Sequence, residues 1–413
     1  MKKIIPLTIL TSLLIPFAAV QAEENAQAVV TQNAHNPLSK PVAPDQIKAY
    51  CIDFNWTRTG RARKPFAIPG LWAESDPAAH VAWYKAMGAN VIQTFAVSCN
   101  GYAWYKNGFV PEQPGLKHDF LREVVRLGHK EGMLVFGYFC AAANVKWVMD
   151  NPELNYPQKF KMKGDKPQSV GPKKCVVYTD EYLDYLSKAI KDAVGTTGID
   201  GFMIDWLWMP ERKPLERKDG PIDWIDAEKK LYAQLMGKPF PGKDKLTKQQ
   251  ETAYSRKAIE RCWDTIHKSA KEANPDCIIW LTVSHMKHAH VVGSKMFKEA
   301  DWLMNEGGAM DVSPQLKSMI RPDTELISCL AAWNGKDPSQ VIPEAHKNGV
   351  GLYGFTAPTG RDGIVDLNKF MHKPIAELKG DQRNISALAR SSHGVGPDAV
   401  WNGKDGFLPK SGK

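Results

Sequence analysis

From residue 47 onward, short apolar runs alternate with stretches whose apolar residues recur at helical spacing. Eight runs stand out: IKAYCIDF (47–54), NVIQTFAVS (90–98), MLVFGYFC (133–140), GFMIDWLW (201–208), CIIWLTVS (277–284), DWLMNEG (301–307), ELISCLAAW (325–333) and GVGLYGFTA (349–357). They are rich in Val, Ile, Phe and Tyr, which suits strands covered on both faces. Between them, DPAAHVAWYKAMG ends at Gly88 and HDFLREVVRLGHKEG ends at Gly132, glycines that serve as helix stops. DEYLDYLSKAIKDAVG leads into the fourth run, and TKQQETAYSRKAIERCWDTIHKSAKEANP into the fifth. Eight such alternations predict an α/β chain folded as a single-domain (β/α)8 TIM barrel over residues 46–385. An open doubly wound sheet is the alternative, and it wants a glycine-rich phosphate turn after its first strand. Here that turn reads DFNWTRTGRARKPF, with neither GxGxxG nor GxxxxGK[ST], which disfavours nucleotide binding.

The flanks differ from this pattern. Residues 1–22 have a basic start at Lys2 and Lys3, an apolar stretch from Ile4 to Val20, and a small-residue cleavage site at Val20-Gln21-Ala22. These are the parts of a cleavable secretory signal peptide. Pro6 and Pro16 interrupt the stretch, which argues against a permanent span, and no later run is long enough to cross a membrane. The expectation is an exported protein, periplasmic or secreted, with no membrane attachment once the signal is cleaved. Residues 23–45 read as a flexible leader and 386–413 as a tail of no evident role. The connections 144–175 and 209–245 are long, and both follow strands, on the face where barrel enzymes build their sites.

Composition sharpens this only in places. The formal charge of +9 is scattered through KMKGDK, GPKK, ERKPLERK and GKDKLTKQQ, and no basic stripe or nucleic-acid motif emerges. Solvated lysine-bearing loops explain it, and an acidic polysaccharide remains a candidate partner for an exported basic protein. The seven cysteines form no CxxC, and Cys51, Cys140 and Cys329 fall in or at the end of apolar runs, as buried free thiols do. Thirteen tryptophans are a surplus that serves cores and ligand-stacking surfaces alike.

A barrel gathers the C-terminal ends of its strands around one site. Those ends supply Asp53, Asn55 and Trp56; Ser98, Cys99, Asn100, Tyr102 and Trp104; Tyr138 and Cys140; Asp205, Trp206 and Trp208; Ser284 and His285; Asn305 and Glu306; Trp333 and Asn334; and Thr356, with Arg361 and Asp362 beyond. The set holds carboxylates, amides and indoles, with no HExxH and no GxSxG. His285, His288 and His290 read as loop histidines, and no metal or other cofactor is expected. Two carboxylates among aromatic platforms are what cleavage of a glycosidic bond requires. One carboxylate attacks or stabilises the anomeric centre, and the other holds a proton for the leaving oxygen. Apolar indole walls favour the protonated form by desolvation. Asp205 and Glu306 are the best pair, since each directly follows a strand interior, and Asp53 is third.

The stretch HVAWYKAMGANVIQTFAVSCNGYAWYKNGF…HDFLREVVRLGHKEGMLVFGYF resembles the second β/α unit and third strand of α-L-fucosidase-type glycoside hydrolases of family 29, and GIDGFMIDWLW resembles that family's fourth strand. The resemblance implies that Asp205 is the nucleophile of a retaining mechanism and that Asn100, Tyr102 and Trp104 line the sugar pocket. The family's His-His-Asp motif is Ser98, Cys99 and Asn100 here, which points to a different sugar. A clan with acids on strands four and six, as in α-galactosidases, gives the same pair, Asp205 and Glu306.

The leading expectation is an exported retaining glycosidase acting on a poly- or oligosaccharide. Asp205 and Glu306 are its catalytic pair. Asp53, Trp56, Asn100, Tyr102, Trp104, Tyr138, Trp206, Trp208, His285, Asn305, Trp333 and Arg361 are its substrate-binding set. Two alternatives stay open: a catalytically silent carbohydrate-binding barrel, and a metal-dependent hydrolase using Asp53, Asp205 and His285.

Overall fold

The structure is a computed structural model that describes residues 43–55, 66–86, 89–156, 161–163, 166–169, 174–210, 212, 215–217, 220–284, 286–330 and 338–356. The signal segment, the leader up to residue 42, the tail, and Trp56, His285, Trp333 and Arg361 lie outside the described residues. Eight parallel strands close into a barrel: β1 Lys48–Ile52, β2 Val91–Gln93, β3 Leu134–Cys140, β4 Gly201–Asp205, β5 Ile278–Val283, β6 Trp302–Asn305, β7 Glu325–Cys329 and β8 Gly351–Thr356. Each pairs with the next, and β8 returns to β1 through Lys48↔Leu352 to Ile52↔Thr356. This is the (β/α)8 architecture that the eight apolar runs predict.

The helices that matter to the site are α1 Pro77–Ala86, α2 Phe120–Lys130, α3 Asp180–Thr197, α4 Asp226–Met236 and α5 Lys248–Ala273. Thr179 caps α3 by accepting from the Tyr182 amide, and Gly198 ends it in the left-handed conformation at φ 78°. Three residues later Gly201 opens β4, where a Cβ would lie 2.2 Å from the Ile278 carbonyl oxygen, so only glycine lets β4 sit against β5. Thr247 and Gln250 form a reciprocal capping box on α5. α4 and the two small hairpins (Lys161–Lys163 with Lys166–Ser169, Leu215–Arg217 with Gly220–Ile222) fall in the two long connections, where the Pro- and Lys-rich composition gave no periodic signal.

Two of the tryptophans, Trp280 and Trp302, fill the lumen. Phe136 on β3 lies 4.5 Å from Trp302 on β6, ring centre to ring centre, and Trp280 on β5 lies 5.2 Å from Tyr353 on β8. Strands that are not neighbours touch only through the barrel interior, so these rings form its packed centre. At the N-terminal ends of the strands, Asp200 accepts from the Val135 amide and pairs with His129, and Asp301 accepts from the Ile279 amide and pairs with Lys271 and Arg321. Those carboxylates stitch strands together. All seven cysteines are buried free thiols. Among the described residues no helix is long and apolar enough to cross a membrane.

Candidate active site

Asp205 is the last residue of β4, in register with Cys140 of β3. Both of its oxygens are engaged: Tyr138 donates its hydroxyl to Oδ2 at 2.8 Å, and the Trp206 amide donates to Oδ1 at 2.8 Å. The second bond depends on an unusual backbone. Trp206 sits at φ +50°, a region costly for a bulky side chain, by about 1–3 kcal/mol. The neighbours hold it there. The Trp206 carbonyl accepts from the Trp208 amide at 2.8 Å and from the Tyr178 hydroxyl at 3.3 Å, and that hydroxyl also donates to the Trp208 carbonyl at 2.7 Å. The two indoles after Asp205 therefore belong to a turn that fixes the carboxylate's orientation.

Glu306 follows β6 directly, half-buried, with its amide donating to the Val283 carbonyl at 3.3 Å. Ser284 donates to its Oε2 at 2.8 Å. Burial pushes Glu306 up to about 8, and the negative charge of Asp205 adds to the rise; Ser284, then Lys174, oppose it, and Asp53 adds a little more. Burial also raises Asp205, while Tyr138, the Trp206 amide and Lys174 pull it down. The Asp205 charge acts on Glu306 and Lys174 acts on both, so the two carboxyls share one site, and burial raises both. Asp205 has two hydrogen-bond donors stabilising its anion, whereas Glu306 has one hydroxyl donor; the Lys174 ammonium favours both anions.

Lys174 is the residue that sequence reasoning missed. Its ammonium lies 5.7 Å from the centre of the Trp206 ring and 5.4 Å from that of Trp208, and its charge acts on both carboxyls. The available signal was its place in the long connection after the third strand, on the site-bearing face. In a chain with scattered lysines that signal was too weak to single it out.

The structure brings Asp53, Tyr138, Asp205, Trp206, Trp208 and Glu306 to this end of the barrel. Asp53 is half-buried, accepts from the Asn55 amide at 2.9 Å, and its charge reaches Glu306. Tyr138 is the buried support of Asp205. Trp104 is a correction: it is 1% exposed, stacked on Phe54 at 4.3 Å and edge-on to Phe120, with its indole N–H donating to Ser98 Oγ at 2.7 Å. A ring enclosed by the core cannot stack on a sugar. Asn100 is likewise buried, exchanging two 3.1 Å hydrogen bonds with Gln113 and accepting from the Tyr102 amide, so it shapes its loop instead of facing a ligand. Tyr102 stays half-buried on that loop. The Asn305 side chain closes the turn after β6, donating to the Ala309 carbonyl at 2.6 Å and accepting from the Gly307 amide at 3.0 Å. Among the described residues no group of three or more His, Cys, Asp or Glu is placed to hold a metal ion.

Residues 76–206 match a family model described as hypothetical glycosyl hydrolase 6. The matched segment begins at α1 and ends one residue past Asp205, so it contains β2, β3 and β4 with Tyr138 and Asp205. Among solved structures, α-L-fucosidase isoenzyme 2 from Paenibacillus thiaminolyticus is similar at 13% identity and a TM-score of 0.50, covering 82% of this chain. This chain spans 50% of that enzyme's length. The PgaB (BpsB) glycoside hydrolase domain from Bordetella bronchiseptica aligns at 12% identity over 83% of this chain and 98% of its own, with a TM-score of 0.46. No curated protein matches the chain by sequence. The fold is that of the (β/α)8 barrels, and the family-model match supports glycosidic-bond cleavage.

Proposed function

We propose that this protein is an exported retaining glycoside hydrolase of a fucosidase-like branch, acting on a sugar other than fucose. The observation that carries the reading is the pair of carboxyls at the ends of β4 and β6, one accepting two hydrogen bonds and the other a single hydroxyl donor. Asp205, held by Tyr138, the Trp206 amide and Lys174, attacks the anomeric carbon as an anion. Glu306, protonated to about pH 8, gives its proton to the leaving oxygen and then, as a carboxylate, activates the water that releases the sugar. Tyr138 and Lys174 orient the nucleophile and keep it ionised. Trp206, Trp208 and Tyr102 border the sugar. The positions resembling the fucose-contacting motif, Ser98, Cys99 and Asn100, are buried and engaged with Trp104, Tyr138 and Gln113, which supports a different glycone. A silent sugar-binding barrel has no need of a buried carboxyl held protonated beside a second carboxylate that accepts two hydrogen bonds, so the pair favours catalysis over binding alone.

The test is hydrolysis of a panel of aryl α- and β-glycosides, α-L-fucoside included, by wild type and Asp205→Ala. The expected outcome is turnover of one glycoside other than fucoside. It falls by about 10³-fold or more in the folded variant. Equal turnover by both proteins removes Asp205 from the chemistry. Turnover of a panel member with inversion at the anomeric centre, followed by NMR, replaces the nucleophile role with that of a base.

A further inference from the structure

A cavity of about 410 Å³ opens between the loops that follow β5 and β6. Ser284, Met286, His288, Asp311, Leu316 and Met319 are among its walls, and neither Asp205 nor Glu306 lines it. Ser284 joins the two places: the residue walls the cavity, and its hydroxyl donates to Glu306 at 2.8 Å. The cavity therefore begins one side chain from Glu306 and belongs to the β5–β6 side of the barrel mouth, whereas Asp205 is carried by β4.

We infer that this cavity is the leaving-group subsite, and that it takes a single uncharged ring with one apolar face, such as a neutral pyranose or an aryl group. The inference rests on the glycosidase reading above. In that chemistry the Asp205 oxygen bonds to the anomeric carbon as the bond to the glycosidic oxygen breaks. The bonding pair leaves with that oxygen, which takes the Glu306 proton and departs as an alcohol. The alcohol must lie on the acid's side, and this cavity lies on that side. Its volume sits at the small end of the range for ligand pockets, which suits one ring and not a chain. Met286, Leu316 and Met319 give it an apolar wall, and thioether side chains adapt to varied shapes. Its charged groups close on each other, with Lys287 pairing Asp311 at 3.0 Å. With its lysine already paired, the cavity offers an acidic unit no unpaired ammonium among the described residues, so it favours neutral rings over the acidic sugars that the overall positive charge suggests.

The experiment fills the cavity with Leu316→Trp. Wild type and variant are compared on the aryl glycoside of the sugar found by the panel and on the corresponding glycosyl fluoride, whose leaving group is one atom and occupies no subsite. The expected result is a loss of about tenfold or more in kcat/KM for the aryl glycoside, with the fluoride unchanged within about twofold. Unchanged turnover of both substrates by the variant overturns the subsite. Should Leu316→Trp fold poorly, shown by equal losses on both substrates, wild type answers alone. With the fluoride as donor, a neutral methyl glycoside added as acceptor should raise turnover and form a new disaccharide, and methyl glucuronide should not. Equal use of both acceptors, or of neither, overturns the inference. Failure of wild type to turn over any fluoride or aryl glycoside overturns the glycosidase reading itself, an outcome distinct from either of these.

Discussion

Replacing Glu306 by glutamine tests the electrostatics of the site without any substrate. Glutamine keeps the shape and still accepts from Ser284, but it cannot ionise. Glu306 holds its proton to about pH 8 in the fold, against an ordinary value of 4.5. At about 1.4 kcal/mol per pH unit, ionising it in place costs up to about 5 kcal/mol. The sign follows from linkage. Below pH 4.5 the residue is protonated in both folded and unfolded chains and adds no penalty. As pH rises toward 8 the unfolded chain loses the proton and the folded one keeps it, so wild type is progressively destabilised, and the loss levels off above pH 8. Glu306→Gln lacks this loss. Between pH 5 and pH 9 its advantage over wild type grows by up to about 4 kcal/mol. Water reaching the half-buried carboxyl and relaxation around Asp205 bring that to about 2 kcal/mol. For a chain of this size that is a relative gain of about 3 °C in Tm. The assay is thermal unfolding of both proteins at pH 5 and pH 9, followed by circular dichroism. A Tm difference that does not change between the two pH values refutes the claim that Glu306 is held protonated, and with it the assignment of Glu306 as the acid. In the wild type the same ionisation should set the basic limb of the activity profile, with activity falling as pH rises through about 8.

Three further outcomes are expected. Tyr138→Phe removes a hydroxyl donor from the Asp205 anion, a bond of about 1.5–3 kcal/mol, so kcat/KM should fall about 10- to 100-fold and the acidic limb of the pH profile should move to higher pH. Lys174→Met should move the same limb in the same direction, because Lys174 pulls the Asp205 value down, and Lys174→Arg should largely restore it; kinetics across pH 4–9 checks both. His80 is buried without a hydrogen-bond partner for either ring nitrogen, among Phe54, Tyr84 and Phe120, and burial takes it down to about 3. An unfolded histidine takes up a proton below about 6.5 and the folded one does not until about pH 3, so this residue drains stability as pH falls between those values; His80→Leu should therefore gain about 2–3 kcal/mol relative to wild type on moving from pH 7.5 to pH 4.5, measured by unfolding at each.

The sequence by itself determined the barrel. Each strand is buried on both faces, so each is a near-continuous apolar run, and eight such runs separated by helical spacing leave few other ways to cover that much apolar surface. It also placed two carboxylates at the barrel mouth, because a carboxylate directly after an apolar strand interior has only that mouth to face, as Asp205 and Glu306 do. What it could not assign was the role of the aromatic residues. Trp104 and Trp206 are equally indole-bearing and equally close to strand ends; only packing decides that Trp104 is sealed beneath Phe54 and Phe120 while Trp206 is bent into a left-handed turn that holds Asp205. Lys174 was illegible for the same reason. A lysine among many acquires its meaning from two indole faces and two carboxyls brought together from segments far apart in the chain. Local pattern records what a residue must bury. Which groups then set its charge and orientation depends on contacts across the barrel, and those exist only once it has closed.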